Sequence, residues 1–322
     1  MTAVLDSGCV SIRLAVEGGR VSAVHVASER PAVARSLQGR AADDAVRLVP
    51  LLFALCGKAQ GRAAELALAA ARGQPCLARL DPAIEQEVMR EHLWRWLLDL
   101  PPLLGEAPLR DEFVAAVAWV AQSRRDELAA LLAGPRIGDL RSRLGTIEDA
   151  PDPQHPLLPA LDAQASLGYW PRLDATFCKV PEWQGAPAET GALARQQGRA
   201  ERPATAFAAR WLARLGELHN WAHGRAMVGA GGTASAAPVA SGGGRALVET
   251  ARGLLMHEIV LDGDRIADYS IVAPTEWNFH PQGPLAAWLM GRDAGYREAL
   301  GKFASHGVAA LDPCVRWELQ WM

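Results

Sequence analysis

The chain has 322 residues, 50% of them hydrophobic, with 33 Lys+Arg against 36 Asp+Glu for a formal net charge of −3. At about 150 residues per domain that length suggests roughly two domains, and a charge near zero gives no electrostatic case for a nucleic-acid or anionic-membrane partner. No apolar run approaches the ~18 residues of a membrane-crossing helix, and the first residues carry no signal-peptide pattern, so a soluble cytoplasmic protein is expected.

The first element reads as a β-hairpin. Val10, Ile12, Leu14 and Val16 alternate with Ser11, Arg13 and Ala15, Gly18-Gly19 makes the turn, and Val21, Val24 and Val26 return. Residues 45–71 are helical in composition, interrupted at Pro50 and Gly57 and stopped by Gly73-Gln74-Pro75. The clearest amphipathic helix covers 82–100, with Ile84, Val88, His92, Leu93, Trp96, Leu97 and Leu100 on one face and Pro101-Pro102 behind it. A second long helix is expected over 109–133, a proline-rich loop over 145–160 and a third helix over 202–224. Residues 228–245 are Gly/Ala/Ser-rich and read as a flexible loop. A second hairpin follows, Leu255–Leu261 and Ile266–Val272 around Asp262-Gly263-Asp264. Pro274–Pro284 reads as an irregular loop and 291–304 as a short helix. The whole is an α+β protein, predominantly helical.

Cys9, Cys56, Cys76, Cys178 and Cys314 are odd in number, and no two form a C-x-x-C. That excludes zinc ribbons, thioredoxin-like motifs and ordinary ferredoxin motifs, and a disulfide framework is not expected. A metal site would have to be assembled by the tertiary fold from distant segments.

Five separated segments, in the same order, resemble the large subunit of nickel–iron hydrogenases. Ala54-Leu55-Cys56-Gly57-Lys58-Ala59 stands where that family has R-x-C-G-x-C. Glu189-Thr190-Gly191-Ala192-Leu193-Ala194-Arg195 is similar to E-x-G-x-L-A-R, and Glu249-Thr250-Ala251-Arg252-Gly253 with His257 is similar to E-A-P-R-G-x-L-x-H. Pro274-Thr275-Glu276-Trp277-Asn278 resembles P-[ST]-T-W-N, and Asp312-Pro313-Cys314 resembles the first half of D-P-C-x-x-C. The stretch 76–180 carries no such signal.

The resemblance implies a reduced large-subunit fold, with N-terminal and C-terminal β-hairpins around a helical core, and a single interwoven domain over 1–322. In the family each C-x-x-C gives one terminal nickel ligand and one sulfur that bridges nickel and iron. Here the terminal positions remain as Cys56 and Cys314, whereas the bridging ones are Ala59 and Trp317. Ser7 falls where the family has a proton-transferring Glu, and a hydroxyl has no comparable acid–base range. A working hydrogenase is therefore not expected, and neither is nickel.

This pattern is that of the HupK/HoxV-type hydrogenase maturation proteins. The resemblance implies a scaffold that transiently holds an Fe(CN)2(CO) fragment and passes it to the immature large subunit. Its partners would be hydrogenase assembly proteins, an iron-fragment donor and a small chaperone among them. Cys56 and Cys314 would hold the metal, with Cys9 a third candidate, and Lys58 and Arg62 would lower the Cys56 pKa. Arg252 and Thr275 would donate to the cyanides. His257 and His280 are candidates for the surrounding shell. Glu276 would either repel the anionic fragment or engage Arg252. The lost sulfurs are those that touch iron in the hydrogenase, so the fragment would have to sit closer to the two that remain or use another ligand, Cys9 before His257 or His280. A lone Cys is commonly a buried apolar residue, which is the expectation for Cys76 and Cys178. The rival reading is a metal-free docking or chaperone module for the same assembly proteins; an enzyme with a remodelled redox site is a more distant one.

Overall fold

Alternating apolar residues build the first two strands of this computed structural model, which describes residues 8–30, 33–53, 55–74, 81–151, 155–196, 205–226, 233–240 and 242–322. β1 (Cys9–Glu17) and β2 (Arg20–Glu29) pair antiparallel across Gly18-Gly19. Val10, Ile12 and Leu14 share one face and are fully buried, as a strand period of two requires. The Ser7 and Cys76 positions lie outside the described residues.

Two helices follow, α1 (Ala42–Leu52) and α2 (Gly57–Ala71), separated by the expected break. Pro50 is accommodated inside α1. α3 (Pro82–Trp94) begins at Asp81, whose carboxylate accepts from the Ala83 backbone N–H at 3.0 Å, with Pro82 in the first turn. Its axis continues through a wide π-type turn over Arg95–Asp99 into a last turn at Leu100–Leu103. Pro101-Pro102 sit at the start of that last turn, after the wide turn has interrupted the regular ladder, where a missing N–H costs little. The single helix expected over 109–133 is two, α4 (Arg110–Ala121) and α5 (Arg125–Leu132). Ser123, with φ of 56°, turns the chain between them.

α6 (Ala206–Ala222) is the helix expected over 202–224 and packs against α3 and α5. Its Trp211 meets Trp96 edge-on, at 6.2 Å between ring centres, and the Trp96 indole N–H donates to the Trp211 carbonyl.

The 228–245 expectation is corrected where the structure describes it. β3 (Ala234–Val239) and β4 (Gly243–Thr250) form a hairpin that extends β5 (Gly253–Asp262) and β6 (Arg265–Val272) into a four-stranded antiparallel sheet, β3-β4-β5-β6. The small residues serve packing rather than flexibility. Gly244 lies directly under α2, where an added Cβ would sit 2.1 Å from the Ala67 carbonyl oxygen. Ala59, Ala63, Ala64, Ala67 and Ala70 of α2 are buried, so helix and sheet approach through short side chains.

Pro274–Asn278 is a helical turn rather than an irregular loop, and the helix expected over 291–304 is α7 (Arg297–Leu311). β7 (Arg316–Trp321) closes the chain by joining β1 in parallel, giving a second sheet in the order β2-β1-β7. Its register sets Cys9 opposite Arg316 on one side and opposite Glu29 on the other. One end of this sheet therefore gathers the start of β1, the end of β2 and the approach to β7. Helices outweigh strands, as expected for the α+β class.

A candidate two-thiol site

Two helix ends present the sulfurs. Cys56 is the N-cap residue of α2. Gly57 follows because the chain passes tightly under α1: a Cβ there would meet the Pro50 carbonyl oxygen at 2.9 Å. The first α2 N–H groups are capped from α3, where the Glu87 carboxylate accepts from Lys58 N at 2.9 Å and Ala59 N at 3.1 Å. Cys314 follows the other end of α7. Asp312 adopts φ of 55° at its C-cap and Pro313 cannot continue the helix, so the chain turns out and leads into β7.

The fold brings Cys56 and Cys314 within electrostatic reach of each other, and both within reach of Arg30 and Arg252. Burial pushes the Cys56 thiol up to about 12, with the neighbouring Cys314 adding to the effect and Arg252 opposing it. This corrects the expectation of a lowered pKa. Arg62 is turned toward Glu65 and Asp81, at 3.4 and 3.5 Å, and Lys58 contributes a backbone N–H to Glu87. Cys56 Sγ accepts from Gln60 Nε2 at 3.8 Å. Gln60 Oε1 lies 2.8 Å from His257 Nε2, and His257 Nδ1 lies 2.9 Å from the Tyr269 hydroxyl. These roles are consistent with one neutral tautomer: Tyr269 donates to Nδ1, Nε2–H donates to Gln60, and Gln60 donates to the sulfur. Burial alone lowers the His257 pKa to about 3.

Cys314 has a denser set of partners. Thr275 Oγ1 is 3.2 Å from its sulfur and accepts from its backbone N–H at 3.4 Å. The Arg30 guanidinium donates to the same sulfur through Nη2. Glu276 Oε1 pairs with Arg30 Nε at 2.9 Å and accepts from the Ser28 hydroxyl at 3.3 Å, while Oε2 accepts from Ala273 N at 3.1 Å. Of the two roles open to Glu276, partnership with a guanidinium is the one adopted, but with Arg30 and not with Arg252. Arg252 instead lies between Glu91, at 3.2 Å, and Asp312, at 3.3 Å. Burial works against its charge, but Asp312, Cys314 and Glu91 outweigh that and hold its pKa above the ordinary value. Asp312 also pairs with Arg95 at 2.8 Å.

Two further candidates remain, Cys9 and His280. Cys9 is buried at the start of β1. Among the described residues no group of three or more His, Cys, Asp or Glu side chains is arranged to hold a metal ion, so Cys9 does not join Cys56 and Cys314 in a ready-made set of three. His280 accepts from Gln282 N through Nδ1 at 3.0 Å, and its charged neighbours are Glu182 and His155. Ala59, at a lost-sulfur position, is fully buried. Trp317, at the other, is half-buried in β7 and helps line a groove of about 530 Å³ that also borders Cys314, Leu55, Arg95 and Asp312. Sequence reasoning missed Arg30, Gln60 and Glu91. Arg30 has no motif around it, and the 82–100 helix pattern marks Glu91 only as a polar position.

The E-x-G-x-L-A-R segment is structural. Glu189 binds the Arg210 guanidinium, and Arg195 binds Glu217 at 2.7 Å and Glu249 at 2.8 Å. His92 reaches the same Glu217 at 2.7 Å. These buried pairs tie α6 to α3 and to β4.

A fold with two sheets and a helical core in this order is that of the nickel–iron hydrogenase large subunit. The chain superposes on the nickel–iron–selenium hydrogenase of Desulfomicrobium baculatum with a TM-score of 0.62 at 13% identity, covering 94% of this chain and 95% of that one. A variant of the Desulfovibrio vulgaris Hildenborough nickel–iron–selenium enzyme gives a TM-score of 0.61 at 15% identity, covering 93% and 94%. The nickel-dependent hydrogenase family model matches residues 204–288. Among curated proteins, the hydrogenase expression/formation protein HoxV of Cupriavidus necator is 34% identical over 96% of this chain and 95% of its own length. HupK of Rhizobium leguminosarum bv. viciae is 30% identical over 99% and 98%. The chain belongs to the HupK/HoxV family of hydrogenase expression/formation proteins. No helix among the described residues is long and apolar enough to cross a membrane.

Proposed function

We propose that this chain acts in hydrogenase maturation as a non-catalytic scaffold. It transiently holds an Fe(CN)2(CO) fragment and delivers it to the immature nickel–iron hydrogenase large subunit. The observation that carries this reading is that Cys56 and Cys314 come within electrostatic reach of each other and of Arg252, with the Arg30 guanidinium donating to the Cys314 sulfur. The donor set suits the cargo. Soft thiolates suit low-spin iron, and guanidinium N–H groups suit anionic cyanide nitrogens. Cys56 and Cys314 would hold the iron, and Arg252 would donate to a cyanide. Without sulfur at Ala59 and Trp317 there is no pair to bridge two metals, so an iron fragment would be held by Cys56 and Cys314 directly.

Thiol protonation is part of the cycle. Cys56 must lose its proton to bind metal, and Arg252 nearby opposes the burial that holds the proton on. The names of the relatives speak for partners among the hydrogenase assembly proteins. The test is infrared spectroscopy on protein co-produced with those proteins and purified without oxygen. Cyanide and carbonyl bands in the wild type, lost in Cys56→Ser and in Cys314→Ser, are expected. A wild-type protein without such bands, or a Cys56→Ser/Cys314→Ser double variant that still supports full maturation, would point to a metal-free docking module instead.

A further inference from the structure

The carrier reading sets Arg30 beside the sulfurs but gives it no contact with the cargo. Arg30 follows β2, its side chain is 19% exposed, and it is the second guanidinium at the sulfurs. Nη2 donates to Cys314 and Nε faces Glu276 at 2.9 Å. Glu276 is itself fixed by Ser28 and by the Ala273 backbone. The guanidinium is thus aimed at the sulfur by a carboxylate that is held on its other side. A structural ion pair alone has no use for the thiol contact.

Thr275 has a limited capacity. Its hydroxyl carries one proton, and its oxygen is already engaged with the Cys314 sulfur and backbone N–H. A Thr275 hydroxyl that donates to sulfur has no proton left for a cyanide. A guanidinium has five N–H donors; Cys314 takes one, and the Nε side stands in an ion pair with Glu276.

We propose that Arg30, held by Glu276, is a second anion-binding group of this site, and that it recognises a cyanide of a soft-metal dicyanide cargo alongside Arg252. This rests on the carrier function proposed above and adds the residue that makes the site selective for a cyanide-bearing metal over a bare cation. Glu276 then acts as a positioning residue for that guanidinium.

The test uses two probes on the full chain: dicyanoaurate(I), a soft-metal dicyanide anion, and cadmium(II), a thiol-seeking cation without cyanide. Each is titrated by calorimetry into wild type, Arg30→Gln and Arg30→Lys. The Arg30→Gln protein is expected to bind dicyanoaurate at least about tenfold more weakly, the scale of one lost charge-assisted hydrogen bond. Its cadmium affinity changes by a clearly smaller factor, because the lost contact to Cys314 touches both probes whereas the cyanide contact touches only one; retained cadmium binding shows that the site has folded, and Arg30→Lys recovers part of the dicyanoaurate loss. Unchanged dicyanoaurate binding in Arg30→Gln, or equal loss of both probes, overturns the role of Arg30 and leaves the carrier reading standing. A wild-type protein that binds cadmium but not dicyanoaurate overturns both.

Discussion

Lowering the pH from 7.5 to 5 loads the buried support of Cys56. His257 is fully buried in β5, between Gln60 and Tyr269, with burial depressing its pKa from 6.5 to about 3. The unfolded chain then takes up a proton between those values and the folded chain does not. Stability contributed by the neutral ring is complete above pH 6.5 and falls as the pH drops toward 3. Between pH 7.5 and 5 the loss from this one group is about 2 kcal/mol, from 1.36 kcal/mol per pH unit over the interval below 6.5. The assay is urea unfolding followed by tryptophan fluorescence at both pH values, in wild type and in His257→Gln. The variant retains hydrogen-bonding capacity toward Gln60 and Tyr269 but has no titrating ring. It is expected to lose about 2 kcal/mol less than wild type on acidification. His92 is also buried with a lowered pKa, so both proteins should still weaken in acid, and the difference between them isolates His257. An identical acid loss in the two proteins would refute the argument that this ring is held neutral at the base of the site.

Three further perturbations address the fold and the site. Gly244→Ala places a Cβ 2.1 Å from the Ala67 carbonyl oxygen and 2.2 Å from Ala71 N, both backbone atoms, so α2 must lift from β4. A loss of about 3 kcal/mol is expected in thermal unfolding, and an unchanged midpoint would contradict the helix–sheet contact. Glu217→Ala strips the shared carboxylate from Arg195 and His92 inside the core and should cost about 3–5 kcal/mol in denaturant unfolding, whereas less than about 1 kcal/mol would refute a buried network. The double variant Ala59→Cys/Trp317→Cys returns sulfur to the two bridging positions. It should retain the infrared-active fragment longer than wild type when challenged with acceptor protein, and equal release rates would show that those positions do not govern delivery.

The first hairpin, the helix breaks around Gly57 and the second hairpin were legible because each rests on local chemistry: alternation, glycine turns and proline. Ser123, with φ of 56°, carries no turn signal strong enough to divide α4 from α5. The Gly/Ala/Ser run read as a loop because composition ignores what packs on it. Gly244 and Ala246 are in a strand because the alanine face of α2 needs a surface without side-chain bulk. In the site, Cys56, Arg252, Thr275 and Cys314 were legible through matched motifs. Arg30 and Gln60 were not. Their partners, Cys314 and His257, lie far away in sequence, and only the closing of β7 onto β1 and of α2 onto β5 brings them together.

Those long-range partners bear on how a carrier could release its load. Arg30 and Arg252 would each donate to the cargo, yet each already has a carboxylate: Glu276 for the first, Glu91 and Asp312 for the second. Removing one member of a buried ion pair ordinarily leaves an uncompensated charge and costs several kcal/mol. Here the departure of an anionic fragment would leave no guanidinium alone, because the protein supplies its own counter-charges. Ala59 contributes a backbone N–H to Glu87 and has no sulfur to break from iron. Holding would therefore depend on two thiolates and a set of hydrogen bonds that the empty site can close on itself. A permanent metal centre has no need of such an arrangement; for a site that must fill and empty repeatedly, it lowers the free-energy difference between the two states.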